Sequence, residues 1–180
     1  MGDRTHGNDP GKDRKCFENA GRNMPGYFKK GIYGGIMNDV DLNKQVIYKN
    51  FARRICGELN LPPCCIKVVQ KLNTDTQMAA AEPKANIIYL KEGLAEPDAL
   101  FSICHELRYI WQRRHGLYSE KYRTNEELSI RGYNLQPEEI DANAFAKVMM
   151  VSLFGITPQF DGLPEDIKTL ITKRASDIAH

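Results

Sequence analysis

Cys104-His105-Glu106-Leu107-Arg108-Tyr109-Ile110-Trp111-Gln112 is the stretch on which the reading of this chain turns. Leu100, Ile103, Leu107, Ile110 and Trp111 recur at the spacing of one helix face. Glu96-Pro97-Asp98 brings a proline and two acids suited to a first helical turn, and Gly116 is placed to end the helix. Residues four apart lie about 40° from one another around a helix, so His105 and Tyr109 share a face. Two polar rings are therefore presented side by side, with Glu106 next to the first.

Before this helix, Val46, Ile47, Phe51, Ile55 and Leu59 predict an amphipathic helix over 42–60, closed by Asn60 and Pro62-Pro63. Three strands are expected next. The β-branched run 65–70 is one, a weaker segment at 77–81 follows the Asn73-Thr74-Asp75 turn, and 85–90 is the third, closed by Gly93. After the motif helix, 117–135 reads as polar and irregular, with Gly132 and Asn134 as turn residues. Gln136-Pro137-Glu138-Glu139 opens a further helix that runs to Gly155, and 164–179 is a closing helix. The fold class is α+β, a small mixed sheet packed against three to four helices.

The pattern H-E-x-x-H on a helix sets two imidazoles on one Zn²⁺, with the Glu acting on a bound water. Here Tyr109 stands where the second histidine would be. Such a site needs a third protein ligand, and two candidates differ in what they require. His115 has the spacing of the longer pattern H-E-x-x-H-x-x-G-x-x-H, which needs a glycine where this chain has Gln112. On a continuous helix it would lie about 280° around from His105, so a solvated position at the helix end is the better reading.

The other candidate is Glu139, at the head of the following helix. Glu139-Ile140-Asp141-Ala142-Asn143-Ala144-Phe145-Ala146 has the form E-x-x-A-N-x-F-A. Together with His105-Glu106-Leu107-Arg108 and Trp111-Gln112 it resembles the ImmA/IrrE-type metallopeptidases, minimal zincins of bacteria, phages and mobile elements. The resemblance spans about 42–160. It implies a minimal zincin-like fold, a Zn²⁺ site held by His105, the residue at 109 and Glu139, and Glu106 as general base. It also implies a protein or peptide substrate bound along an edge strand, placed here at 85–91, and a regulator or repressor protein as the target. Asp141 and Asn143 belong to the pattern, and as residues they read as helix surface. Ala142 and Ala146, one turn apart, would allow close approach to the motif helix.

The chain departs from the family at Tyr109, because a phenol with an unperturbed pKa of about 10 is a poor metal ligand at neutral pH. Three readings stay open. Zinc could be held by His105 and Glu139 with help from Tyr109, which depends on a metal lowering the phenol's pKa. Tyr109 could instead hydrogen-bond to Glu139 or His105, leaving a pseudoenzyme that binds a protein partner. Finally, a His-to-Tyr change needs one base, so Tyr109 could be an isolated substitution.

Across 180 residues, 42% hydrophobic composition suffices for one core, expected over 36–180, with 1–35 a flexible or loosely packed extension rich in glycine and charge. Lys+Arg of 25 against Asp+Glu of 23 is too balanced for a nucleic-acid footprint. The specific version of that third class would use Arg108, Arg113, Arg114, Lys121, Arg123 and Arg131. No apolar run is long enough to span a membrane and the start is polar, so a cytoplasmic protein is expected. Five cysteines without a C-x-x-C suggest reduced thiols, and the adjacent Cys64 and Cys65 would point to opposite faces of a strand.

Overall fold

Four consecutive residues, Ile87, Ile88, Tyr89 and Leu90, are buried, which requires cover on both faces of the strand that carries them. The computed structural model describes residues 39–124 and 127–180. These fall within one unit, Asn38–His180; the extension expected over 1–35 lies outside the described residues. In chain order the elements are α1 (Asp39–Glu58), β1 (Cys65–Val69), β2 (Ala79–Glu82), β3 (Ile87–Lys91), α2 (Glu96–Arg114), α3 (Ile130–Asn134), α4 (Pro137–Phe154) and α5 (Glu165–Ala179). The class is α+β, with five helices and a three-stranded mixed sheet among the described residues.

The sheet order is β1-β3-β2. β1 runs parallel to β3, with Cys65 opposite Ile87 and Val69 opposite Lys91. β2 is antiparallel to β3, with Ala79 opposite Leu90 and Glu82 opposite Ile87. This corrects the expectation that 85–91 forms the sheet edge. The apolar β3 is the central strand because its side chains need neighbours on every side, and the alanines of β2 take the edge.

Helix α1 buries Tyr48, Phe51, Ala52, Ile55 and Cys56, with Leu59 buried just past its end, whereas Val46 and Ile47 are exposed. The buried stripe therefore runs one position away from the predicted one at its start. Asn60 takes a positive φ of 51° to end the helix, and Leu61 N–H bonds the Cys56 carbonyl at 2.8 Å. Asn86 Nδ2 then donates to the carbonyls of Pro62 and Pro63 at 3.2 and 2.7 Å, tying the β2–β3 turn to the start of β1.

The motif helix α2 is the centre of the molecule. Leu100, Ile103, Cys104, Leu107 and Ile110 enter the core with α1, the sheet and Phe145, Ala146 and Met150 of α4. Gly116, at φ 67°, follows its last turn. Ala142 and Ala146 are fully buried, so α4 and α2 meet through small side chains as predicted. α5 covers the other side of α4 with Ile167, Ile171 and Ala175 against Ala144.

Within the stretch read as irregular there is one short helix, α3. Ser129 caps it by accepting the Gly132 N–H at 3.1 Å, and Asn134 Nδ2 returns to the Ile130 carbonyl at 2.8 Å. The turn residues noted in the sequence are thus used inside one helical turn. Among the described residues Cys56, Cys64, Cys65 and Cys104 are free thiols, buried or half-buried. Among the described residues no helix is long and apolar enough to cross a membrane.

Candidate functional site

A cleft of about 500 Å³ opens between the edge strand β2, the face of α2 that carries the motif, and the loop 117–124. Its walls include Met78 to Ala81, Phe101, His105, Glu106, Tyr109, Tyr118, Tyr122, Tyr133, Glu139 and Asn143. All four site residues named from the sequence, His105, Glu106, Tyr109 and Glu139, therefore line one cavity.

The helix period explains the grouping. His105 and Tyr109 sit one turn apart, their rings edge to face with centroids 4.7 Å apart. Glu139 and Asn143, one turn apart on α4, face them. His105 Nδ1 lies 3.1 Å from Asn143 Oδ1. An amide oxygen only accepts, so the imidazole proton sits on Nδ1 and Nε2 keeps its lone pair. That Nε2 is 3.6 Å from Glu139 Oε2. Burial lowers the His105 pKa, against the opposing pull of Glu139 and Asn143, so the contact is that of a neutral imidazole beside a carboxylate rather than an ion pair.

Glu139 is 2% exposed. Its Oε1 accepts hydrogen bonds from the Tyr109 hydroxyl and, at 2.7 Å, from the Tyr122 hydroxyl. The Tyr122 and Tyr133 hydroxyls are 3.0 Å apart, which extends the network to α3. Burial, and then the charge of Glu139, push the Tyr109 phenol well above its ordinary pKa. The same two causes raise Tyr122 and Tyr133. These are neutral phenols giving their protons to a carboxylate.

Glu106 is 8% exposed. Burial and the nearby Glu139 push its pKa up to about 8, against a hydrogen bond from the Ala81 N–H that favours the charged form. Ala81 belongs to the β2 edge, and because the Met78 carbonyl instead bonds Lys91 N–H, alternate backbone groups of this strand turn toward the cleft.

As a zinc centre the donor set is one short. Among the described residues no three His, Cys, Asp or Glu side chains stand close enough to hold one ion. His105 Nε2 and Glu139 Oε2 have lone pairs turned to one point, but the third position is a phenol whose proton is engaged by Glu139. As arranged, these residues do not fit a three-ligand site. His115 is not a substitute: it stacks on Trp111 at 4.4 Å and bonds the Trp111 carbonyl, at the solvated helix end.

Sequence reasoning missed the tyrosines. Tyr118, Tyr122 and Tyr133 fall in a stretch read as irregular, although three tyrosines within 16 residues, two of them four apart, are a signal of a shared surface. It also undervalued Asp141 and Asn143. Asn143 orients His105, and Asp141 clamps three helices: Arg108 Nε at 2.6 Å, Gln112 Nε2 at 2.8 Å and Arg174 Nε at 2.8 Å all donate to it. Of the basic residues grouped in the sequence, Arg108 is thus buried in an ion pair and Arg131 pairs with Asp166 at 2.6 Å. Comparison with family models, curated proteins and solved structures finds no match for the chain.

Proposed function

We propose that this protein is a peptidase-like scaffold of the H-E-x-x-H type that binds an extended polypeptide in its cleft without cutting it. The observation that carries the reading is the pair of phenols, Tyr109 and Tyr122, on Glu139 Oε1. In a metal site that carboxylate would give its lone pairs to the ion. Here tyrosine donors take up those of Oε1, and releasing Tyr109 as a ligand means ionising a buried phenol beside a carboxylate, which both burial and charge oppose. The two motifs resemble those of ImmA/IrrE metallopeptidases, and this reading keeps their minimal zincin-like fold and peptide cleft while removing the metal. The partner would be a regulatory or repressor-type protein in a phage or mobile-element setting, met in the cytoplasm.

The extended partner pairs with β2 rather than with 85–91, since β2 is the strand whose edge forms the cleft wall. Its short, alanine-rich edge leaves room for a second backbone. Binding there adds main-chain hydrogen bonds, and the tyrosine wall supplies apolar area with polar tips.

A second reading, an active zinc peptidase, is favoured by the placement of Glu106. Its carboxyl is held by Ala81 N–H inside the cleft, with a pKa near that of a working general acid or base. One comparison separates the two. Wild type, Glu106→Gln and Tyr109→His are incubated with zinc and an unstructured protein such as reduced casein, and cleavage is followed. The binding-module reading predicts no difference between wild type and Glu106→Gln, with cleavage appearing only in Tyr109→His. Turnover by wild type that Glu106→Gln abolishes overturns it.

A further inference from the structure

We infer that the place a metal would take receives an alkylammonium group, the side chain of a lysine or the free amine at the start of the bound polypeptide. The inference rests on the metal-free reading above and names the chemistry of the partner at that point. Two acids, Glu106 and Glu139, are buried and line the same cavity. None of the ion pairs among the described residues joins a lysine or arginine to either one. Two buried acids thus face one cavity with no cation beside them among the described residues, so a cation that enters finds acceptors already in place and favours the charged form of both.

The free acceptor positions select among cations. Glu139 Oε1 is taken by Tyr109 and Tyr122, which leaves Oε2 toward His105. Glu106 accepts the Ala81 N–H, which leaves acceptor capacity on its carboxyl group. A guanidinium is recognised best by both oxygens of one carboxylate, a fork that Glu139 cannot complete. An ammonium carries three rotatable donors on a compact centre and can reach single acceptors on two carboxylates, with a third for the His105 Nε2 lone pair.

The walls suit the same guest. Tyr109, Tyr118 and Tyr122 form a ring cluster with centroids 4.8–6.1 Å apart, and aromatic surfaces favour cations. Arg113 already stacks on Tyr118 with its guanidinium 3.7 Å from the ring centroid. The alkyl stem of a lysine would run along the tyrosines, while the main chain beyond it follows β2.

The test uses full-length protein stripped with chelator and ring NMR signals of the tyrosines. n-Butylammonium is titrated in, with n-butanol as the isosteric neutral control. Saturable shifts at Tyr109 and Tyr122 are expected, at least tenfold weaker for n-butanol and at least tenfold weaker for n-butylammonium with Glu106→Gln. Tyr118→Leu, at the half-buried rim, should weaken n-butylammonium about threefold. Equal binding of the alcohol, or unchanged affinity in Glu106→Gln, overturns the inference. Two alanine-rich peptides then separate the sources: an N-acetylated one with a single lysine, and an unblocked one without lysine. Tighter binding of one than of n-butylammonium identifies its amine as the anchor. If neither binds tighter, a polypeptide anchor is ruled out. Zinc that displaces the amine at one ion per chain defeats the metal-free reading while leaving the ammonium site standing, so the two failures are distinguishable.

Discussion

Helices α2 and α4 meet along two polar seams that differ in how their charge is balanced. On one side Arg108 and Gln112 of α2 meet Asp141 of α4, and Arg174 of α5 joins them. On the other, His105, Glu106 and Tyr109 meet Glu139 and Asn143. In the first seam two guanidinium groups answer one carboxylate, and although burial works against its charge, those donors hold the Asp141 pKa below its ordinary value. In the second, two acids have no lysine or arginine partner among the described residues, and Glu106 is driven up to about 8, so that it keeps its proton at neutral pH. A polar seam that serves packing closes its charges within the chain. The seam that faces the cleft leaves a deficit, and that deficit is what a ligand can fill.

Asp141→Ala is the most damaging change to the packing seam. It strands Arg108, itself 7% exposed, as an unpaired buried charge. A loss of about 3–5 kcal/mol is expected by chemical denaturation, the scale for removing one partner of a buried pair. A loss under about 1 kcal/mol would mean that this seam is no clamp.

Next in size is the pH dependence contributed by Glu106. A carboxyl whose folded pKa is raised favours folding while it is protonated in both states. Between its unfolded value and about 8 the folded state holds the extra proton, so stability falls as pH rises through that window and levels above it. The slope amounts to about 3 kcal/mol between pH 5 and 8. Glu106→Gln should flatten it, and an unchanged slope in the variant would place its origin elsewhere.

Smaller still is Tyr109→Phe. It removes one of the two phenol donors on Glu139 Oε1 and leaves the aromatic packing in place. The expected cost is about 1–2 kcal/mol in thermal or chemical unfolding, that of an under-satisfied buried carboxylate. A gain in stability would mean that the phenol contact is repulsive and that the cleft seam is not held by it. The exposed pair Arg131–Asp166 is the low end of the scale. Asp166→Asn is expected to leave the unfolding midpoint unchanged, and a clear shift would show that surface pairing also matters here.

Much of this arrangement is legible in the sequence because it is local and periodic. The i,i+4 spacing that puts His105 beside Tyr109 and the proline-led start of α4 at Glu139 are short-range facts, and both motifs do arrive in one cavity. Ala142 and Ala146 announce the close helix contact for the same reason. The edge strand was not legible, since neighbour order in a sheet depends on which strand can be covered on both faces. Burial patterns decide that only after assembly, when Ile87 to Leu90 find partners on either side. Tyr118, Tyr122 and Tyr133 were hidden because no period links residues on a loop and a one-turn helix. Their common property is that each lines the cleft. Asp141 reads as surface acid on its own helix, and only the packing of α2 and α5 against α4 turns it into a clamp.

We propose that Tyr109 stands where a metal ligand would and makes a hydrogen bond to Glu139 instead. Zinc stoichiometry by elemental analysis tests it most directly, on tag-free wild type and Tyr109→His prepared side by side and dialysed against the same trace of zinc. No stoichiometric zinc is expected in wild type and about one ion per chain in Tyr109→His, whose added imidazole completes a three-ligand set. One zinc per chain in wild type, lost in Tyr109→Phe, would contradict it and make Tyr109 a ligand.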